Sequence, residues 1–145
     1  MTSNLKQCLI DSEGKERFAY QDSLGYWSVG IGRCIDKRIG KGLSDQEINY
    51  LLDNDIAQCR KQLEGFDWYL AQDDVRKEVL VELCFNLGLP KLLKFTNTLN
   101  CIAKKDYHGT VLNLLNSNWA KQVQQSRIQS IIYRLVHGEY PNGAS

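Results

Sequence analysis

Two carboxylates and a hydroxyl lie close together near the start of the chain, around a glycine-rich segment. Glu13 is followed nine residues later by Asp22 and, after six more, by Ser28. Cleavage of a glycosidic bond needs one carboxyl group to protonate the leaving oxygen. A second carboxyl group acts on the opposite face of the sugar, as a base toward water or as a nucleophile. Glu13 and Asp22 are candidates for these two roles, and Ser28 is a candidate for assisting Asp22.

Local patterns predict the elements that position these side chains. Apolar residues at helical spacing predict a helix over about residues 4–12, which Gly14 would stop. Aromatic and β-branched residues on both sides of residues 22–25 predict a β-hairpin with its turn there. Glu13 would then face the hairpin from a helix end, with Asp22 across from it and Ser28 pointing inward from the second strand.

Each of these residues also has an ordinary structural explanation. Glu13 is then a surface carboxylate, Asp22 a turn residue that binds nearby backbone amides, and Ser28 a solvent-facing strand residue. Taken one at a time, these explanations are the more common ones. Only the combination of the three residues favours the chemical interpretation.

The segment 13–32 resembles the catalytic segment of the phage-type lysozymes, glycoside hydrolase family 24, and is close to the endolysins of T-even phages. That family has Glu-Gly, then Tyr-x-Asp, then Gly-x-x-Thr-x-Gly-x-Gly, and this chain keeps the spacing from Glu13 to Gly32, with Ser28 in place of Thr. The resemblance implies that Glu13, Asp22 and Ser28 are catalytic and that Gly30 supports them. Arg33 stands where the family has His, which implies a structural ion pair.

Two later segments, residues 85–88 and 95–99, match the family's Phe-Gln/Asn-x-Gly and Phe-x-Asn-Ser-Leu motifs. The resemblance implies that Phe85, Thr98 and Asn113 contact the glycan. It also implies that Arg127 pairs with the catalytic Glu.

The residue types by themselves suggest other roles for these positions. Phe85 and Trp119 would be core residues, and Thr98 would be a solvated residue in the first turn of a helix. Asn113 lies in an apolar run, so we expect it to have a partner or a ligand.

The rest of the chain predicts helices. Ser44 and Glu47 form a capping box before a long helix to about residue 64. Further helices are predicted at about 72–87, 96–104 and 107–115, and from a cap at Ser126 to Gly138. The 145 residues therefore predict a single α+β, mostly α domain. The resemblance implies a lysozyme-like arrangement, with a mixed lobe at about 13–60 joined by the long helix to a helical lobe at 65–140, on which helix 4–12 packs.

Composition excludes several classes of function. The net charge is +1 with acidic and basic residues interleaved, which argues against binding of nucleic acid. The five cysteines show neither a metal-binding spacing nor a disulfide framework, and no metal or cofactor is predicted. No apolar run is long enough to span a bilayer, and no leader is recognisable, so we expect reduced thiols in a bacterial cytoplasm.

The reaction predicted from these residues and the resemblance is hydrolysis of the β-1,4 bond between N-acetylmuramic acid and N-acetylglucosamine, which lyses the host cell. Glu13 would be kept protonated by partial burial beneath the helical lobe, while Asp22 stays ionised. The resemblance implies inversion at the anomeric carbon. It also implies a monomer that reaches the periplasmic peptidoglycan from the host cytoplasm through a holin-type pore.

Two other functions remain open at this stage. A lytic transglycosylase cuts the same bond with one acid and no water. A non-catalytic peptidoglycan-binding protein would keep the cleft without the activity, and the Ser28 and Arg33 departures from the family pattern are consistent with it.

Overall fold

A computed structural model describes residues 2–141 of the chain. The chain divides into two compact units, Met1–Leu52 and Asp53–Ser145. Most of the described residues are helical, and one small antiparallel sheet lies near the N-terminus. This confirms the predicted α+β, mostly α class. No helix within residues 2–141 combines the length and the apolar character needed to cross a membrane.

The first unit contains one helix, the sheet and the start of a long helix. Its elements are α1 (Thr2–Glu13), β1 (Glu16–Gln21), β2 (Trp27–Gly30), β3 (Arg33–Cys34) and the first part of α2 (Asp45–Leu63). The strands are ordered β1-β2-β3, so β2 is central. Gly14 ends α1 in a left-handed conformation, with φ of 81°, that residues with a side chain rarely adopt. The predicted helix stop and hairpin are therefore confirmed.

The predicted capping box begins α2. The backbone N–H of Ser44 donates to Glu47 Oε1 at 2.9 Å, and the backbone N–H of Glu47 donates to Ser44 Oγ at 3.2 Å. These two bonds satisfy amides that have no partner within the helix. The division between the two units falls inside this helix.

The second unit is built from helices. They are α3 (Asp67–Leu70), α4 (Asp74–Leu87), α5 (Leu89–Leu92), α6 (Thr96–Ala103), α7 (Tyr107–Leu115), α8 (Asn118–Gln122) and α9 (Gln125–His137). The predicted bounds of α6 and α7 are confirmed within one residue. The helices α3, α5 and α8 were not predicted, because elements of four or five residues are too short to show a helical period.

Two predicted helix starts are wrong by a few residues. Helix α4 begins at Asp74 and not at Gln72, because the side chain of Asp73 accepts a hydrogen bond from the Arg76 backbone N–H and caps the helix there. Ser126 is not the cap of α9, which begins at Gln125 and has no side-chain cap.

The hydrophobic core lies in the second unit. Its buried apolar residues are Leu63, Tyr69, Val79, Leu80, Val81, Leu83, Cys84, Leu92, Leu99, Ile102, Leu114, Trp119, Ile128, Ile131 and Leu135. In the described part of the first unit, by contrast, the buried residues are Ser28 and Asp36. Two apolar residues of α1, Leu5 and Leu9, are exposed, and the packing of α1 on the helical lobe stays a prediction.

Candidate active site

Glu13 is the last residue of α1, and its carboxylate lies against the backbone of Gly32. A Cβ placed on Gly32 would be 2.7 Å from Glu13 Oε2 and 3.1 Å from Glu13 Cδ. Real Cβ atoms do not approach other atoms so closely, so the carboxylate keeps this position only because residue 32 has no side chain. Glu13 is exposed, and the partial burial expected of a general acid stays a prediction.

Gly32, and not Gly30, is thus the glycine that makes room for Glu13. Both have positive φ, 71° at Gly30 and 68° at Gly32, but a Cβ on Gly30 would meet nothing within 4 Å. Gly30 still supports the hairpin through its left-handed conformation. The sequence signal for Gly32 was its position as the second glycine of the Gly-x-Gly motif. The spacing of that motif does not show which of its two glycines contacts the Glu13 carboxylate.

Asp22 follows β1 directly and organises the hairpin turn. Its Oδ1 accepts hydrogen bonds of 2.9 Å from the backbone N–H groups of both Leu24 and Tyr26. The structural explanation given for Asp22 is therefore correct. It is also compatible with a chemical role, because one oxygen is anchored while Oδ2 has no hydrogen-bond partner within the described residues.

Ser28 lies on the central strand and points inward. Its residue is 5% exposed and is paired with Tyr20 on β1 and with Cys34 on β3. The explanation as a solvent-facing residue is therefore wrong. Its hydroxyl has no hydrogen-bond partner among residues 2–141, yet it is not sealed from solvent, since no fully enclosed side-chain oxygen there lacks a partner.

An ion pair that sequence reasoning missed, between the buried Asp36 carboxylate and the exposed Arg38 side chain, supports the hairpin. Asp36 accepts hydrogen bonds from the backbone N–H of Trp27 at 3.0 Å and from Arg38 Nε and Nη2, both at 2.8 Å. The hydrogen bonds from Arg38 and then from the Trp27 amide hold the pKa of the Asp36 carboxyl well below its usual range. Arg38 also covers the ring of Tyr26 and donates to Gly25 O at 3.1 Å, which ties the pair to the turn at Asp22.

Arg33 forms the structural ion pair that the resemblance implies. Its Nη1 and Nη2 bind Glu47 Oε1 at 2.9 Å and Oε2 at 2.7 Å, and Nη1 also donates to Gly42 O. The hydrogen bond from Arg33, followed by those within the capping box, lowers the pKa of Glu47 from 4.5 to about 2. A depression of about 730 Å³ lies beside this pair and includes Gly32, but neither Glu13 nor Asp22 lines it.

In the second unit the structure brings Thr98 and Asn113 together. They line a pocket of about 350 Å³ with Phe95, Ser117 and Trp119. Thr98 is only 4% exposed, so the expectation of a solvated residue is wrong, because α6 packs closely against α7. Asn113 has the expected partner, since its Nδ2 donates to Gly109 O at 2.9 Å.

The prediction of a core role is confirmed for Trp119 but not for Phe85. Trp119 is a core residue as predicted, and its Nε1 donates to Asn86 Oδ1 at 2.8 Å. Phe85 is 44% exposed, so its predicted core role is wrong. It lines a separate depression of about 340 Å³ with Leu89 and Pro90. The structure thus groups Thr98 with Asn113 but not with Phe85.

Arg127 is paired with Glu82, a residue that sequence reasoning missed. Arg127 Nε donates to Glu82 Oε2 at 2.8 Å, and Arg134 Nη2 donates to Glu82 Oε1 at 2.6 Å. Burial raises the pKa of Glu82, but the hydrogen bonds from the two arginines outweigh it and the pKa lies below its usual value. The pairing of Arg127 with Glu13 stays a prediction.

Comparison with known proteins agrees with this arrangement. The model of the phage lysozyme family matches residues 10–135, a span that includes Glu13, the hairpin and nearly all of the helical unit. Probable T4-type lysozyme 1 of Dictyostelium discoideum is 24% identical, over 91% of this chain and 95% of its own length. Probable T4-type lysozyme 2 of the same organism is 25% identical, over 97% and 99%. The chain therefore belongs to the phage lysozyme family, whose members are glycoside hydrolases with peptidoglycan as substrate.

Proposed function

We propose that the protein is an endolysin, an N-acetylmuramidase that hydrolyses the β-1,4 bonds between N-acetylmuramic acid and N-acetylglucosamine and thereby lyses the host cell. The observation that carries the proposal is the contact of the Glu13 carboxylate with Gly32, beside a hairpin that anchors Asp22. A pair of carboxyl groups held by rigid local structure is what glycoside hydrolysis requires.

In the proposed mechanism, Glu13 protonates the oxygen of the leaving sugar. Asp22 acts on the opposite side through Oδ2, because Oδ1 is occupied by two backbone amides. The Ser28 hydroxyl, which has no partner in the described part of the chain, helps Asp22 to position a water molecule. Attack by that water gives inversion at the anomeric carbon.

The proposed glycan contacts are Phe85, Thr98 and Asn113, in agreement with the pocket that the last two share. Arg127 is proposed to orient Glu13. Its Nε is taken by Glu82, which leaves the two Nη groups for that task. Glu82 would hold the guanidinium in place and is itself shared with Arg134.

The proposal includes the site of action. The protein would be held in the host cytoplasm as a monomer until a holin-type pore admits it to the periplasmic peptidoglycan. Expression in a Gram-negative host is then expected to leave cells intact until such a pore is co-expressed. Lysis without any membrane lesion would contradict this part of the proposal and leave the muramidase activity untouched.

The catalytic proposal is tested by the clearing of outer-membrane-permeabilised cells, with mass analysis of the released fragments. The variant is Glu13→Gln, and the matched control is Glu16→Gln, the same change at an exposed residue of β1. Hydrated muropeptides are expected from the wild type and the control, and none from Glu13→Gln. Anhydro-ended fragments would make the protein a lytic transglycosylase. Failure of the wild type to clear cells would contradict the muramidase proposal and favour the non-catalytic peptidoglycan-binding protein.

A further inference from the structure

Two cysteines of the second unit line one pocket. Cys59 on α2 and Cys84 on α4 both border the depression of about 340 Å³ that also includes Gln62 and Phe85. Cys84 is 2% exposed and belongs to the core, whereas Cys59 is partly buried and packs against that core. Both are free thiols in the structure. The pocket therefore holds a buried thiol and, beside it, a thiol that solvent reaches.

The positions of the two cysteines on their helices bring their thiols together. Gln62 lies one helical turn after Cys59, on the same face of α2. The Cys84 thiol donates to Gln62 Oε1 at 3.7 Å, so it points at this face of α2. Burial first, and then the charge and hydrogen bonding of Cys59, raise the pKa of the Cys84 thiol. Cys84 is thus in contact with the turn of α2 that carries Cys59.

A core role explains one of these cysteines but not the pair. A single buried cysteine commonly packs as a small apolar residue, and Cys84 fits that description. Thiol–disulfide exchange needs two groups, an accessible thiol that attacks an external disulfide and a neighbouring thiol that resolves the mixed disulfide. Cys59 and Cys84 supply both groups.

We propose that Cys59 and Cys84 form a disulfide bond by exchange with a small-molecule disulfide such as oxidised glutathione. The Cys59 thiolate attacks one sulfur of the oxidant, which gives a mixed disulfide and releases one glutathione thiolate. Cys84 then gives its proton to water, and its sulfur attacks the Cys59 sulfur and releases the second glutathione thiolate. The oxidant is reduced to two thiols, and the protein loses two hydrogen atoms.

Exposure determines the order of the two steps. The Cys84 sulfur is enclosed by the core, and its raised pKa keeps it as a thiol, which is the unreactive form. Cys59 is the more accessible of the two. Cys84 accordingly reacts with the sulfur of Cys59 and not with a solute.

The bond would join α2 to α4 and close the part of the chain between them, which includes α3. A cross-link of this kind stabilises a protein mainly by restricting its unfolded chain. The use of this stabilisation rests on the proposed function. A protein that moves from a reducing cytoplasm to an oxidising periplasm would acquire the bond in the compartment where it acts.

The exchange is tested by incubation with oxidised glutathione at pH 8, followed by non-reducing tryptic digestion and peptide mass analysis. Cys59 and Cys84 fall into different peptides, because Arg60 and Lys77 lie between them. The wild type is expected to give these two peptides joined, and reduction should separate them. Cys84→Ser is expected to retain glutathione on Cys59, and Cys59→Ser should carry none on Cys84.

Three results would overturn the pair. They are an unmodified Cys59 in the wild type, glutathione that stays on Cys59 in the wild type, and a cross-link from Cys59 to a cysteine other than Cys84. Glutathione on Cys84 in the Cys59→Ser variant would overturn the proposed order of the steps.

Thermal unfolding of the oxidised and reduced wild type measures the stabilisation. Oxidation is expected to raise Tm by about 5–10 °C. Cys101→Ser, at a cysteine of the same unit outside the pair, should keep this rise, and Cys59→Ser should abolish it. Equal Tm values for the two forms of the wild type would overturn the stabilising role. Neither measurement uses peptidoglycan, so a failure to clear cells refutes the proposed function separately.

Discussion

Each of the two units of the chain is stabilised internally by a different kind of interaction. In the described residues, every fully buried apolar side chain lies between Leu63 and Leu135, in the second unit. The first unit buries Ser28 and Asp36 instead, and apolar residues such as Phe18 and Ile39 are exposed. Packing therefore stabilises the helical unit, whereas hydrogen bonds and ion pairs around Asp22, Asp36 and Glu47 organise the hairpin unit.

This difference has consequences for catalysis. Glu13 and Asp22, the proposed acid and its partner, lie on the first unit, whose described residues form no packed apolar core. Regions with few buried apolar contacts open at lower free energy than packed cores. The activity should accordingly be sensitive to single polar or steric changes near Glu13 in the first unit. The stability of the second unit should be sensitive to loss of side-chain volume in its core.

The largest expected effect is on the packed unit. Leu80→Ala removes a side chain that is 1% exposed on α4, and it should lower the free energy of unfolding by about 3 kcal/mol, because the cavity cannot fully collapse. Urea denaturation measures the change. Leu112→Ala, at a site that is 62% exposed on α7, is the control and should cost less than about 0.5 kcal/mol. Similar losses in both variants would mean that the second unit lacks a packed core.

The next effect is on the hairpin unit, and it should appear in activity. Gly32→Ala places a Cβ 2.7 Å from Glu13 Oε2, so the carboxylate must move. A displacement of about 1 Å at a reacting group can reduce the rate about 100-fold. The rate of cell clearing measures this loss.

Gly30→Ala separates the steric effect from backbone strain. Gly30 has nearly the same φ as Gly32, but its Cβ would meet nothing within 4 Å. Both variants should therefore lose a similar amount of stability, about 1 kcal/mol, from the left-handed conformation. Equal losses of activity in the two variants would show that strain, and not the contact with Glu13, is responsible.

A smaller effect, on the stability of the first unit, is expected at acidic pH. The pKa of Glu47 is about 2 in the folded protein, against an ordinary value of 4.5. Because the folded pKa is the lower one, its ion pair with Arg33 stabilises the hairpin unit fully above pH 4.5, and the stabilisation is lost as the pH falls toward 2. The protection factors of the Glu47 and Ser44 N–H groups, obtained from amide exchange after correction for the intrinsic exchange rate at each pH, should fall across this range.

Glu47→Gln removes the titrating group at the same site. The variant should show lower protection of these amides than the wild type at neutral pH, and its protection factors should depend less on pH between 4.5 and 2. An unchanged pH dependence in Glu47→Gln would assign the acid response to other carboxylates of the unit.

The smallest effect distinguishes the thiols of the two units. Burial, followed by the neighbouring Cys59, raises the pKa of the Cys84 thiol to about 11, whereas Cys8 on α1 is exposed. Since the thiolate is the reactive form, iodoacetamide at pH 8 should modify Cys8 first and leave Cys84 intact while the protein is folded. Peptide mass analysis follows the order, and early modification of Cys84 would mean that the core opens readily.

Local signals predicted a large part of the fold. The stop at Gly14, the hairpin turn, the capping box at Ser44 and the bounds of α6 and α7 all depend on residues within a few positions of each other. Such features need only the chain's own geometry, so the sequence determines them before any packing occurs. The candidate acid, base and hydroxyl also lie within one segment, and they were identified from their residue types and spacing together with the resemblance of that segment to the phage-type lysozymes.

Contacts between distant residues were decided by the tertiary structure. Thr98 is buried and Phe85 is exposed because helix packing, and not residue type, chooses which face of a helix is covered. The pairing of Arg127 with Glu82 joins residues 45 positions apart, and no local pattern indicates it. Gly32 became recognisable as the partner of Glu13 only when the folded chain brought the end of α1 onto the turn between β2 and β3, since the missing Cβ has meaning only beside the atom it would displace.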